Sequence, residues 1–336
     1  MYMPEPKSGE YSPAEARTPR YAEQIFESLP AMEIGTEIRR AAATRLTTGK
    51  DAKLKLSAGE SVERQGWSAG AVLRARKGDA LINRSGQAFK VVSGDKKHLR
   101  IRDAESGEEG TIAFEPRAIP AHEYTYQLRG EGKTKELPVY DSVYKDHSLD
   151  TTDFIDSIMS AVPAQCLEVF DEVRIVRLET SAKGGQFKAE PSLLANIKSI
   201  TLYVEADGYP AQETIRTFYH ELGHAIAKHL KDDVNPGKRW RRAMQADGNS
   251  VSEYSSKARY PDKGDHGEIE DFADSVMLYL ATDGAKTPAT KTLRDFCQNR
   301  FQKLDEVFED LLERQKGGVV GGLKRRVLKS PGVLDR

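Results

Sequence analysis

Gln212-Glu-Thr-Ile-Arg-Thr-Phe-Tyr-His-Glu-Leu-Gly-His-Ala-Ile-Ala-Lys-His-Leu230 is the stretch on which the reading of this chain turns. Ile215, Phe218, Tyr219, Leu222, Ile226 and Leu230 recur at helical spacing, which predicts a helix over about 212–230 with one apolar face. His220 and His224 stand four apart. At about 3.6 residues per turn they lie one above the other on one side of that helix, and both imidazoles then reach a single tetrahedral Zn²⁺. Glu221 faces the same cleft. Gly223 permits another backbone to approach the helix closely.

His220-Glu-Leu-Gly-His224 is the H-E-x-x-H pattern of metallopeptidases. Its chemistry follows from the residue types: Glu221 takes a proton from the attacking water and returns it to the leaving amine. A strand candidate, Ile200–Val204, comes just before the helix and is read as the edge that holds a substrate by backbone hydrogen bonds. The competing reading is an ordinary amphipathic helix with two solvated histidines.

Two histidines leave a third protein ligand to find. A ligand farther along the same helix would need Gly and His where Ala227 and Leu230 stand. His229 is one residue off that spacing and reads as a helix-end histidine favoured by the dipole. Glu268-Ile-Glu-Asp-Phe-Ala-Asp274 offers a better source, on a helix predicted over about 267–281. Glu270 and Asp274 share one face of it, while Phe272, Ala273, Val276, Met277 and Leu280 cover the buried side. Glu270 is the favoured ligand, and Asp274, one turn on, can accept a hydrogen bond from a ligand imidazole. Glu268, Asp271, Asp265 and His266 are rivals.

His220-Glu-Leu-Gly-His, Val251-Ser-Glu-Tyr254 and Glu270-Asp-Phe-Ala-Asp274, taken together, resemble gluzincin peptidases of the anthrax lethal factor type over about residues 170–312. The resemblance implies a zincin fold and zinc held by His220, His224 and Glu270. It implies Glu221 as general base, Tyr254 as the phenol that stabilises the oxyanion, and Asp274 behind the ligands, where the family more often has Glu. The connection Ser255–Gly267 is longer than usual, which leaves Tyr260 as an alternative phenol. The chain is also similar to the regulatory peptidases that cleave phage-type repressors, through the same five residues followed by Glu268–Ala273. A third reading is a non-catalytic interaction protein on a zincin-like scaffold.

Outward from the motif, the expected class is α+β. Residues 1–20 read as a disordered lead-in and 21–60 as a helical segment broken near Pro30. Residues 61–120 carry short alternating runs at about ten-residue spacing, separated by Gly-containing turns, and read as a small SH3-like β-barrel. Such a module suits a docking partner or merely a solvated exterior. Residues 121–149 read as a linker. The zincin domain is expected over 150–315, with helices at its start and over about 291–315, and a mobile basic tail over 316–336.

Composition narrows the function classes. The 336 residues carry 51 Lys plus Arg against 52 Asp plus Glu, so the basic excess of a nucleic-acid binder is missing. Two cysteines, Cys166 and Cys297, make neither a disulfide framework nor a cysteine zinc site. No apolar run is long enough to span a bilayer, and the first residues have no apolar signal core. The expectation is a cytoplasmic protein, or one exported without a classical signal peptide, that acts on a protein or peptide substrate.

Overall fold

The computed structural model describes residues 21–28, 38–142, 151–178, 184–191, 196–204, 211–230, 236–248, 250–257 and 266–316. Helix α1 (Ala22–Glu27) precedes strands β1 (Ala42–Arg45) and β2 (Lys50–Leu56). Short helices α2 (Ala58–Arg64) and α3 (Ala69–Val72) lead into β3 (Ala80–Ile82), β4 (Ala88–Gly94), β5 (His98–Asp103) and β6 (Glu109–Ala113). The hairpin β7 (Arg117–Arg129) and β8 (Thr134–Asp141) follows, then α4 (Thr151–Ser160), β9 (Glu172–Arg177), β10 (Gly184–Pro191) and β11 (Asn196–Val204). Six α-helices follow among the described residues: α5 (Ala211–His229), α6 (Pro236–Asp247), α7 (Glu253–Lys257), α8 (His266–Ala281), α9 (Lys291–Phe296) and α10 (Gln298–Lys316). The fold is mixed α and β, as expected. Among the described residues no helix is long and apolar enough to cross a membrane.

A seven-stranded sheet runs β1-β7-β8-β9-β11-β10, with β2 also paired to β7. Strand β9 lies parallel to both β8 and β11, and such a central strand is covered on both faces. Its side chains divide by the two-residue period. Val173 and Ile175 join the main core with Phe218, Leu222, Val276 and Phe301 from the helices. Val176 joins the smaller cluster of Leu54, Leu56, Ile119 and Tyr203 on the opposite face.

Three expectations about the N-terminal half are corrected. Among its described residues the segment 21–60 is helical only at α1 and at the start of α2. Lys50–Leu56 alternates Lys53 and Lys55 outward with Leu54 and Leu56 inward, and forms a strand paired with β7. The expected linker, 121–149, contains most of the hairpin β7–β8, which pairs with β9 and so belongs to the same sheet as the C-terminal half. Strand β7 hides its nature because its buried face changes along its length. Ile119 and Ala121 face one side of the sheet, whereas Tyr124, Tyr126 and Leu128 face the other. No one face is buried in alternation along the whole strand.

The third correction concerns the barrel. Its four strands fall close to where the spacing puts them, but they pair in the linear order β3-β4-β5-β6 as an open sheet. Val62 of α2, Val72 of α3 and Trp67 between them close its core against Leu81, Val91, Ile101 and Ile112. The small sheet is docked on the large one through buried charge. Ser57 caps α2 with Glu60 in a reciprocal box, the Ser57 N–H donating to Glu60 Oε2 at 2.7 Å. Glu60 Oε1 in turn accepts from Arg174 Nη1 of β9 at 2.7 Å.

The single helix expected over 291–315 is two. Cys297 leaves helical geometry at φ −113°, ψ 33°. Asp247 at the end of α6 explains the break, since its carboxylate accepts from the N–H groups of Asn299 at 2.8 Å and Arg300 at 3.1 Å, capping α10 from another helix. The lead-in 1–20 and the tail beyond Lys316 lie outside the described residues.

Candidate metal centre

Helix α5 buries Phe218, Leu222, Ala225 and Ile226, and its period turns His220, Glu221 and His224 toward α8 and β10. Gly223 makes the approach of α8 possible. A β-carbon there would stand 2.7 Å from the Cα of Ala273, closer than packed atoms come. Glu270 and Asp274 flank Ala273 on either side of that contact, and both are buried.

His220 Nε2 and His224 Nε2 lie 3.1 Å apart, and Glu270 Oε2 is 3.4 Å from each. Among the described residues these three form a group whose ligand atoms all lie within 4.8 Å of one another and could hold a metal ion. On the far side of the imidazole, His220 Nδ1 is 2.7 Å from Asp274 Oδ1. In the neutral ring that contact puts the one proton on Nδ1 and turns the Nε2 lone pair toward the cluster. Burial works against charge on His220, but the hydrogen bonds to Asp274 and Glu270 outweigh it and push its pKa up to about 10. Glu270, by the same exchange, is drawn well below the usual carboxylate range against its own burial.

Asp274 is itself held by Ser252, whose hydroxyl donates to Oδ2. Ser252 also accepts from the Ser255 N–H at 2.9 Å, at the start of α7. Sequence reasoning gave Ser252 no role, although it lies in the quoted Val251–Tyr254 segment. Tyr254, next to it, puts its ring 6.2 Å from that of His220. It lines the cleft while remaining 61% exposed. Desolvation of the phenol, with Glu270, Asp274 and Glu221 nearby, raises its pKa to about 12, so it is a hydrogen-bond donor across the neutral range. Tyr260 and Asp265 lie outside the described residues.

Glu221 is 5% exposed and accepts a hydrogen bond from the Phe187 N–H of β10. Burial raises its pKa, opposed by His220 and His224. The strand beside it corrects the sequence expectation. Ile200–Val204 lies in β11, which pairs on both sides, with β9 and with β10, and has no backbone edge to offer. The outer strand is β10. A β-carbon on Gly185 would stand 2.6 Å from Glu221 Cγ, so glycine is what lets this strand lie against Glu221. The pair Gly184-Gly185 is the signal the sequence offers for this close approach.

Two of the rival ligands, Glu268 and Asp271, are engaged elsewhere. Glu268 pairs with Arg241. Asp271 accepts from Trp240 Nε1 at 3.0 Å and from Arg300 Nε at 2.8 Å, fully buried between α6 and α10. His229 ends α5 outside the cluster, where burial and then Lys198 and Arg314 lower its pKa, so it adds little positive charge to the helix end. A cleft of about 520 Å³ opens over His220, Glu221 and Tyr254. Compared with known proteins, the chain matches no family model and no curated protein.

Proposed function

We propose that the protein is a zinc-dependent endopeptidase with a zincin-like fold of the gluzincin type, acting on a protein or peptide substrate. The observation that carries this reading is the triangle of His220, His224 and Glu270 with Glu221 beside it. Zinc bonds of about 2.0–2.2 Å at tetrahedral angles set ligand atoms about 3.3 Å apart. The three donor separations here, 3.1, 3.4 and 3.4 Å, fit that spacing. Two imidazoles and one carboxylate, beside a cleft that His220 lines, would be a donor set of catalytic rather than structural zinc.

Bound zinc supplies Lewis acidity to the scissile carbonyl and to the attacking water. The chain's own residues do the rest. Asp274 fixes the tautomer and ring plane of His220, and Ser252 fixes Asp274. The Glu221 carboxylate takes the proton of the attacking water and passes it to the leaving amine. The Tyr254 hydroxyl donates to the oxygen on which negative charge develops. The outer edge of β10 pairs with the backbone of an extended peptide and holds the scissile bond level with Glu221. The repressor-cleaving type of peptidase would place the ligand at Glu268, and its pairing with Arg241 speaks against that. A bare scaffold has no need of a desolvated Glu221 beside paired histidines.

Metal analysis of the purified protein and hydrolysis of a quenched peptide library test the reading together. Stoichiometric zinc is expected, with activity lost to a chelator and restored by zinc. Glu221→Gln should keep its zinc and lose at least about a hundredfold in rate. Full proteolysis in that variant would overturn the mechanism.

A further inference from the structure

The small sheet delivers one side chain into the cleft. Arg84 sits in the turn between β3 and β4, and that turn is fixed by its own hydrogen bonds. Asn83 Oδ1 accepts from the Gln87 N–H at 2.9 Å, and the Arg84 N–H donates to the Gly66 carbonyl at 3.0 Å. The side chain reaches away from the small sheet toward β10 and β11. Its guanidinium pairs with Glu63 and lies 5.7 Å from the ring centre of Tyr203. Glu63 is held in place by the Ala69 N–H, which donates to its Oε1 at 2.6 Å. A β-carbon on Gly184 would stand 3.9 Å from Arg84 Nη1, which puts the guanidinium at the start of the edge strand. There it lines the same cleft as Glu221 and Tyr254.

Each of these contacts orients the group without exhausting it. A guanidinium presents five donors in a planar fork, and one carboxylate engages two at most. A cation that only latched the small sheet to the large one would have no reason to face the cleft. That latch exists elsewhere, in the Glu60–Arg174 pair. On the peptidase reading, a peptide added along β10 passes Arg84 within a residue or two of the scissile bond, since Gly184 adjoins the Gly185 that packs on Glu221. We propose that Arg84 is a specificity-determining residue of this site, which selects a substrate with an Asp or Glu side chain within two positions of the scissile bond. The small sheet is then one wall of the substrate cleft.

The test uses the full chain loaded with zinc and pairs of quenched peptides that differ only in Glu against Gln at the positions flanking the cleaved bond. The same peptides are titrated, by fluorescence anisotropy, into the Glu221→Gln protein. The wild type should favour the Glu peptide by about tenfold or more in kcat/KM, and Glu221→Gln should favour it similarly in Kd. In Arg84→Gln both ratios should fall to about one, and in Arg84→Lys, which keeps the charge but not the fork, they should fall only part of the way. Thermal unfolding of the variants checks that the small sheet stays docked. No preference in the wild type overturns the inference, as does a uniform loss in Arg84→Gln that leaves the Glu-to-Gln ratio intact. If the wild type cleaves no peptide, the peptidase reading fails by itself, and the anisotropy ratio still decides on Arg84.

Discussion

Gly223 and Ala273 touch backbone to backbone, and that contact sets the distance between the helix that carries two of the candidate ligands and the helix that carries the third. A β-carbon on Gly223 would come within 2.7 Å of the Ala273 Cα. Neither partner there is a flexible side chain, so Gly223→Ala must push α8 away and with it Glu270. Overpacking of this kind costs about 1–3 kcal/mol, and metal affinity should fall with stability. Gly70→Ala is the control, because a β-carbon there meets only the mobile end of Arg74. Thermal denaturation and zinc titration of the two variants check this.

The third ligand can be separated from its neighbours by metal content. A coordinating carboxylate both bonds the ion and compensates its charge, so Glu270→Ala should release zinc under mild chelation and abolish turnover. Asp274→Ala should cost about 10–100-fold in affinity or activity, because it frees the His220 ring rather than removing a ligand. Glu268→Ala, which removes only a partner of Arg241, should keep full zinc. Zinc retained in Glu270→Ala and lost in Glu268→Ala would overturn the assignment.

Tyr254→Phe removes one hydroxyl and leaves the ring beside His220. Zinc content should be unchanged, while kcat falls by about 10²–10³, the usual loss for a donor to a developing oxyanion. Single-turnover kinetics would show whether the loss lies in chemistry. An unaffected rate would return the role to another group.

The seam between the two sheets should be sensitive to acid. Burial works to raise the pKa of Glu60, but Lys188 and Arg174 overcome it and the folded value lies below the usual one near 4.5. A depressed carboxylate contributes stability that is fully present above its unfolded pKa and is lost as pH falls through the folded one. Urea unfolding between about pH 7 and 3 should therefore show a stability loss that is diminished in Glu60→Gln. At neutral pH that variant should be weaker by up to about 3–5 kcal/mol, since it leaves Arg174 buried with less compensation.

A chain begun near Lys145 should not fold. It would contain all the candidate metal ligands and most of the helices, but β9 would lose β8 and, beyond it, β7, β1 and β2. The freed edge of a central, fully buried strand is an aggregation site. An insoluble fragment is expected, and a soluble, zinc-binding one would show that the sheet can be cut there.

Much of the site was legible in the chain because its donors lie on helices, where chemistry and periodicity coincide. His220, Glu221 and His224 are fixed relative to one another by 3.6 residues per turn, and Glu270 and Asp274 by the same rule. The four short strands of the small sheet were legible for a similar reason, each being bounded by its own turn. What failed were features that depend on a distant partner. The helix expected over 291–315 breaks because Asp247 caps its second half. Strand β7 went unread because it buries different faces against different layers.

The sequence by itself determined the local chemistry: a helix with two histidines and a glutamate, a second helix with two carboxylates, and a run of short strands before them. Only the tertiary structure decided which carboxylate meets the histidines, since Glu268, Glu270 and Asp271 differ by their place around α8 and by their claims from Arg241, Trp240 and Arg300. It alone made β10 the edge beside Glu221, joined 117–141 to the central sheet, and brought Arg84 to the cleft. The physical reason is separation along the chain. Contacts within a helical turn are dictated by backbone geometry, which the sequence displays directly. Residues as far apart as Arg84 and Glu221 come to one cleft only after the sheets have docked, and no local pattern records it.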